Sequence, residues 1–324
     1  MADLRRALPN ERVCRRVLEH LRWRNGRYGP HCGSLRSWAI TGQSARDGLY
    51  ECADCHQQFT VTTKTILHST KLPLRTWLEA MFLVLKSSKG IASVALARYI
   101  GVSQKTAWKM GHAIRLLMAD TDQKPLEGVV EVDEKYLGGK PRPRTDGVKA
   151  KRGKGTKKQP IVVMVERGGK ARATPIERET FAESHSAVVA GVSSDALLMT
   201  DGAQVYRRVS QSFAGHQTVD HGADEFARPG EDGGPTVHNN TSESFNSLIE
   251  RAKFGVFHLM SKKHLPRYLA EIMFRWNERY QVPVNTARGT RMVTYHTTFG
   301  QRLRVMFDRA NGRQLRRSET GGLF

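Results

Sequence analysis

The stretch Val130-Glu131-Val132-Asp133-Glu134-Lys135-Tyr136 decides how the rest of the chain is read. Side chains alternate across a strand, so Val130 and Val132 face one way and Glu131, Asp133 and Lys135 the other. An acid-bearing face therefore lies on the back of an apolar one. Strand patterns follow at 160–166 and 171–176, then a helix near 181–189 and a strand at 196–200. A helix near 203–210, a strand near 217–219 and helices at 241–253 and 264–280 complete the run. Three strands followed by helices interleaved with further strands imply an α/β fold, a mixed sheet with flanking helices.

Two further acids stand at structured positions. Asp201 follows Leu197-Leu198-Met199-Thr200 and precedes Gly202. That is the carboxyl end of a strand, where open α/β sheets build their sites; a plain Asp-Gly turn is the alternative. Glu243 opens the helix whose stripe is Phe245, Leu248, Ile249 and Ala252, and falls on the opposite side with Glu250. Asn240 and Glu243 also fit a capping-box pair, which would give Glu243 a purely local role. Asp133, Asp201 and Glu243 gathered at one rim would hold two divalent ions about 4 Å apart. Oxygen donors favour Mg²⁺ or Mn²⁺ over zinc. One ion would activate water or a 3′-hydroxyl, and the other would stabilise the leaving oxygen of a phosphodiester.

The remainder of the chain supplies a polyanion partner. Its 324 residues carry 52 Lys and Arg against 31 Asp and Glu, a formal charge of +21, with 39 % hydrophobic residues. Such a chain buries a core and keeps a cationic surplus, which points to nucleic acid. No apolar run approaches the ~18 residues of a spanning helix, and the first residues lack the apolar segment of a secretory signal. A cytoplasmic, nucleoid-associated protein is expected. Between the first two strands, Lys140, Arg142, Arg144, Lys149, Lys151, Arg152, Lys154, Lys157 and Lys158 face a single acid, Asp146. Like charges so dense in a Pro/Gly-rich loop repel unless a polyanion neutralises them.

Upstream, Ile91 to Ile100, the turn Gly101-Val102-Ser103 and an amphipathic segment from Gln104 have the grammar of a helix-turn-helix. Lys105 and Lys109 lie on its second helix as DNA-contacting candidates. Residues 10–24 read as a helix with Val13, Val17, Leu18 and Leu21 on one face, and 28–62 as a Gly-rich ribbon. Cys14, Cys32, Cys52 and Cys55 suit a metal knuckle better than a disulfide framework.

Taken together these segments resemble the DDE transposases of bacterial insertion sequences, in the group with an N-terminal zinc ribbon and an ISXO-type ribonuclease-H-like core. The likeness runs from about residue 10 to residue 282. It is carried by Tyr50 to Phe59, Lys71 to Trp77, Val102 to Trp108, Val132 to Lys140, Thr200-Asp201-Gly202 with Tyr206, His238 to Phe245, and Phe274 to Arg279. It implies a catalytic triad of Asp133, Asp201 and Glu243, with His238 and Asn240, and also His216 and His221, as neighbours of the acids. It implies a transposase that binds the terminal inverted repeats of its element, cleaves DNA with divalent metal and transfers the strand, as a homodimer or larger assembly on DNA. Alternatives are a non-catalytic DNA-binding regulator derived from a transposase, and a metal-dependent nuclease.

One position departs from the family. The first ribbon knuckle, Cys-Pro-x-Cys in the family, reads Gly29-Pro30-His31-Cys32. Cys32, Cys52 and Cys55 supply three ligands where structural zinc takes four. His31 or Cys14 would have to provide the fourth; otherwise the ribbon is metal-free and held by Trp38, Tyr50 and Phe59. The expected organisation is a helix and degenerate zinc-ribbon-like module at 1–70 and a helix-turn-helix region at 71–122. A ribonuclease-H-like core at 123–282 and a basic tail at 283–324 follow.

Overall fold

The computed structural model describes residues 1–43, 45–139, 156, 158–178, 180–203, 206–286 and 289–315. Arg142, Arg144, Lys149, Lys151, Arg152 and Lys154 lie outside these residues. The chain divides into two compact units, 1–120 with 296–324, and 121–295.

The first unit begins with helices α1 (Ala2–Ala7) and α2 (Glu11–Arg22). Asn10 caps α2, its Oδ1 accepting from Val13 N at 3.0 Å. The buried face of α2 is Cys14, Leu18 and Leu21 with Arg22; Val13 and Val17, expected on it, are only half-buried. A three-stranded antiparallel ribbon follows: β1 (Ser37–Ala39), β2 (Tyr50–Cys52) and β3 (Gln58–Phe59). Trp23, Tyr50 and Phe59 pack together, with ring centroids 5.5 to 6.0 Å apart. Trp38 is exposed and takes no part in that cluster, because it lies on the open face of the ribbon's edge strand.

Three helices complete the run: α3 (Leu74–Lys86), α4 (Ser93–Ile100) and α5 (Gln104–Met118). Gly101 ends α4 in the left-handed region at φ +70, where a side chain would be strained. Ser103 starts α5, its Oγ accepting from Thr106 N at 3.2 Å. The three-residue turn therefore has a stop signal at its first position and a start signal at its last, and α4 and α5 pack on α3.

The second unit is built on a five-stranded sheet. Its strands are β4 (Val129–Leu137), β5 (Gln159–Glu166), β6 (Ala171–Pro175), β7 (Leu197–Thr200) and β8 (Gly215–Thr218), in the order β6-β5-β4-β7-β8. Helix α6 (Phe181–Gly191) joins β6 to β7, and the short α7 (Tyr206–Val209) joins β7 to β8. β4, β5 and β6 pair antiparallel, whereas β4, β7 and β8 run parallel, so the sheet is mixed. β5 is apolar almost throughout because both its faces are covered. Ile161, Val163 and Val165 pack under helices α8 (Asn240–Ala252) and α9 (Leu265–Asn277). Val162 and Met164 pack on the other side with Val188, Val192 and Tyr206. Val130 and Val132 of β4 join this second face, which leaves Glu131, Asp133 and Lys135 on the side of α8.

The region expected as a basic tail is largely regular. β9 (Arg279–Thr286) and β10 (Gly289–His296) form a two-stranded sheet, and α10 (Phe299–Asp308) follows with a capping box of Thr298 and Gln301. α10 buries Leu303, Met306 and Phe307 against the first unit, packing on α2, α3 and α5. The apolar spacing of that helix was hidden among the arginines that surround it.

Candidate active site and metal centre

Register places the two aspartates. β4 and β7 are parallel neighbours whose last paired position is Glu131 with Met199. Asp133 and Asp201 each lie two residues further on, so both stand in the same phase on chain paths that leave the ladder as neighbours. Asp201 leaves the end of β7, and its Oδ1 accepts from Ala203 N at 3.2 Å in an Asx turn. The turn that was its ordinary alternative is thus present, and it holds the carboxylate beside Asp133.

The electrostatics agree with that proximity. Asp133 is pushed up to about 6, first by burial and then by the charge of Asp201. Lys135 and a hydrogen bond from Asn246 work against the rise. Asn246 Nδ2 donates to Asp133 Oδ2 at 2.6 Å. Glu243 lies three residues before Asn246 on α8 and is exposed. The carboxylates of Asp133, Asp201 and Glu243 are not drawn into one tight group. Among the described residues, three cysteines alone bring their ligand atoms within 4.8 Å of one another.

Glu131 is the site residue that the sequence reading passed over. Its carboxylate is fully buried. Oε2 accepts from Thr241 N at 2.6 Å and from Ser242 N at 2.9 Å, and Oε1 from Thr241 Oγ1 at 2.9 Å. Arg167 Nε donates to Oε1 at 2.6 Å, and His238 Nδ1 lies 3.1 Å from the same oxygen. Glu131 therefore caps α8 from a neighbouring strand, meeting the unpaired amides and positive end of the helix. The capping box of Asn240 and Glu243, the alternative to a site role for Glu243, is not formed, since Asn240 is the first residue of the helix and not its cap. Asn239 is the N-cap, and it makes no side-chain cap bond. The signal for Glu131 was its phase with Asp133; that it would be buried was not readable from one strand.

The other expected neighbours divide. His238 reaches the acids through Glu131, and burial and Arg167 depress its titration while Glu131 opposes them. His216 Nε2 sits 2.9 Å from Thr200 Oγ1, beside Asp201, with its titration lowered by burial. Asn240 is exposed. The side chain of His221 lies outside those described.

In the ribbon, Cys32, Cys52 and Cys55 gather, with Cys32 Sγ and Cys52 Sγ 3.4 Å apart. A tetrahedral zinc–thiolate site needs sulfurs about 3.8 Å apart, so the three fit zinc. The Cys52 thiol is held down to about 7, chiefly by the backbone N–H groups of Cys55 and Asp54. Neither His31 nor Cys14 joins the group. His31 has its titration lowered by burial and by Lys64 and His68, and Cys14 is buried on α2.

Ribbon, helix-turn-helix and mixed-sheet core in this order make the build of a DDE-type transposase. Residues 125–277 match the ISXO2-like transposase domain, and residues 9–58 match the transposase zinc-ribbon domain. A protein in transposable element ISH50 of Halobacterium salinarum is 30 % identical over 297 residues, spanning 88 % of this chain and 97 % of its own. The chain belongs to the ISXO2-like family of insertion-sequence transposases. Among solved structures, a pre-cleavage Mos1 transpososome matches at 13 % identity over 60 % of this chain and 72 % of its own, with a TM-score of 0.25. The Mos1 mariner paired-end complex with Mn matches at 13 % over 61 % and 76 %, with a TM-score of 0.23. Likenesses so slight bear on neither fold nor function. No helix among the described residues is long and apolar enough to cross a membrane.

Proposed function

We propose that this transposase binds the terminal inverted repeats of its element, hydrolyses a phosphodiester at the element end and joins the released 3′-hydroxyl to target DNA. Asp133, Asp201 and Glu243 are the catalytic acids in this reading. The observation that carries it is the electrostatic coupling of Asp133 to Asp201, which stand in phase beyond the last pair of two parallel strands. A +21 chain has no general need to crowd two carboxylates; a divalent cation held by Asp133 and Asp201 would offset the repulsion. Bound Mg²⁺ or Mn²⁺ would supply Lewis-acid activation of the attacking oxygen and relief of charge on the leaving one.

The protein's own groups prepare that site. Asn246 orients one Asp133 oxygen. Glu131 and Arg167 lock the start of α8, one residue ahead of Glu243. Lys105 and Lys109 on α5, with the basic residues Arg142, Arg144, Lys149, Lys151, Arg152 and Lys154, are assigned to the DNA backbone. Two element ends imply at least two chains at work, in the cytoplasm at the nucleoid.

The test joins a pre-cut element end bearing a 3′-hydroxyl to a plasmid in Mg²⁺. The wild type should join, and Asp133→Asn, Asp201→Asn and Glu243→Gln should bind the end without joining. Near-normal joining by any of the three removes that residue from the triad. Cutting without joining by the wild type marks a nuclease, and neither product marks a regulator.

A further inference from the structure

The two knuckles of the ribbon follow one hydrogen-bond scheme. In the second, Cys52 N donates to Gln57 O at 3.2 Å and His56 N to Cys52 O at 3.1 Å. In the first, Gly29 N donates to Ser34 O at 2.8 Å and Gly33 N to Gly29 O at 2.8 Å. Both schemes run from a residue to the fifth beyond it and back from the fourth. Both turn through positive φ at that fourth residue, +53 at His56 and +82 at Gly33. Superposing them residue for residue makes Cys32 the counterpart of Cys55 and Gly29 the counterpart of Cys52. The knuckle has kept its backbone and lost one sulfur.

The space confirms the correspondence. A Cβ placed on Gly29 would lie 3.2 Å from Cys52 Sγ and 3.8 Å from Cys32 Sγ. Gly29 therefore faces the thiols of Cys52 and Cys32, and its backbone is outside the left-handed region. The two side chains that might have replaced the missing sulfur do not reach the group: Cys14 and His31 stand apart from it. Cys32 is exposed, so the cluster is open to solvent on one side.

We infer that the ribbon binds zinc through Cys32, Cys52 and Cys55 alone, with the fourth position, at Gly29, filled by an exogenous donor: water at rest, displaced by a small thiolate or imidazole when one is present. Structural zinc sites close all four positions with protein ligands, while an open position admits outside ligands. The metal of this ribbon is accordingly exchangeable. The inference stands on the ribbon and not on the catalytic assignment.

The test uses the full-length chain stripped of metal and titrated with Co²⁺, whose visible bands report its ligands. One Co²⁺ should bind per chain, and millimolar 2-mercaptoethanol or imidazole should shift the bands. Gly29→Cys should bind with bands that no longer respond, and should hold Zn²⁺ at least tenfold more tightly against a chromophoric chelator. Cys14→Ser and His31→Ala should match the wild type in stoichiometry and response. The inference is overturned if the wild type takes up no metal, if its bands ignore added thiol and imidazole, or if either Cys14→Ser or His31→Ala loses the metal. The wild-type response needs no substitution, so a Gly29→Cys chain that fails to fold leaves the test intact.

Discussion

Asn246 Nδ2 donates to Asp133 Oδ2 at 2.6 Å, and that bond is the middle rung of a ladder between β4 and α8. One rung up, Glu131 receives the amides of Thr241 and Ser242; one rung down, Lys135 Nζ pairs with Glu250 Oε1 at 3.0 Å. The strand advances two residues per rung and the helix about four. Two strand residues rise about 6.6 Å and four helical residues about 6 Å, so the two elements stay in step when they run side by side. The ladder fixes Glu243, one turn ahead of Asn246, relative to Asp133.

Asn246→Leu keeps the volume of the middle rung and removes its donor. The bond favours the charged form of Asp133, so its loss should move that carboxyl's titration above its present value of about 6. Carbon-detected NMR of the aspartate carboxyl reads the shift. Apparent Mg²⁺ affinity in the joining assay should weaken about tenfold, as for other groups that orient metal ligands.

Asp133 should also make the metal-free core less stable at neutral pH than in acid. Its native titration lies near 6 against an ordinary 3.8, so the native state holds the proton more tightly than the unfolded chain. Stability should therefore fall as pH rises from about 4 to about 6, and the ionised group should cost about 3 kcal/mol above that range. Asp133→Asn should melt higher than the wild type at pH 7.5 without metal and alike at pH 4. Mg²⁺ should raise the wild-type melt and leave the variant unmoved. A variant less stable at pH 7.5 would count against the buried, repelled carboxylate.

Glu131→Gln tests the upper rung. The substitution keeps shape, removes the charge facing the α8 N-terminus and leaves Arg167 without its ion partner. A loss of about 2–4 kcal/mol is expected in denaturant unfolding. Faster hydrogen exchange at Thr241 and Ser242 should accompany it. Joining should fall with binding of the element end retained.

The alternation of β4 was enough to place Asp133 and to set Glu131 and Lys135 on its face, because strand phase is a local property. The stop at Gly101 and start at Ser103 were legible for the same reason. Long-range caps were not. Glu131 caps α8 from across the sheet, and Glu11 caps α3 through Leu74 N and Arg75 N at 2.8 and 3.1 Å. For α8 the local candidates, Asn240 and Glu243, had no bearing on which carboxylate arrives. The same limit hid the packing of α10 on α2, α3 and α5, since a helix's partners are not written in its own period. The missing sulfur at Gly29 was legible as a letter, but only the two matched knuckles show what faces the gap.

Lys105 and Lys109 bear on the DNA reading through salt. Both are exposed on α5, four residues apart and so on one helical face, within its first two turns. If they neutralise phosphates, each releases counterions on binding, and affinity falls as salt rises. Lys105→Ala and Lys109→Ala should each weaken binding to an element-end duplex and reduce the slope of log affinity against log salt by about 1. Binding to unrelated duplex should weaken by the same factor, because phosphate contacts carry no sequence information. An unchanged slope in both variants would move the DNA contact off this face of α5.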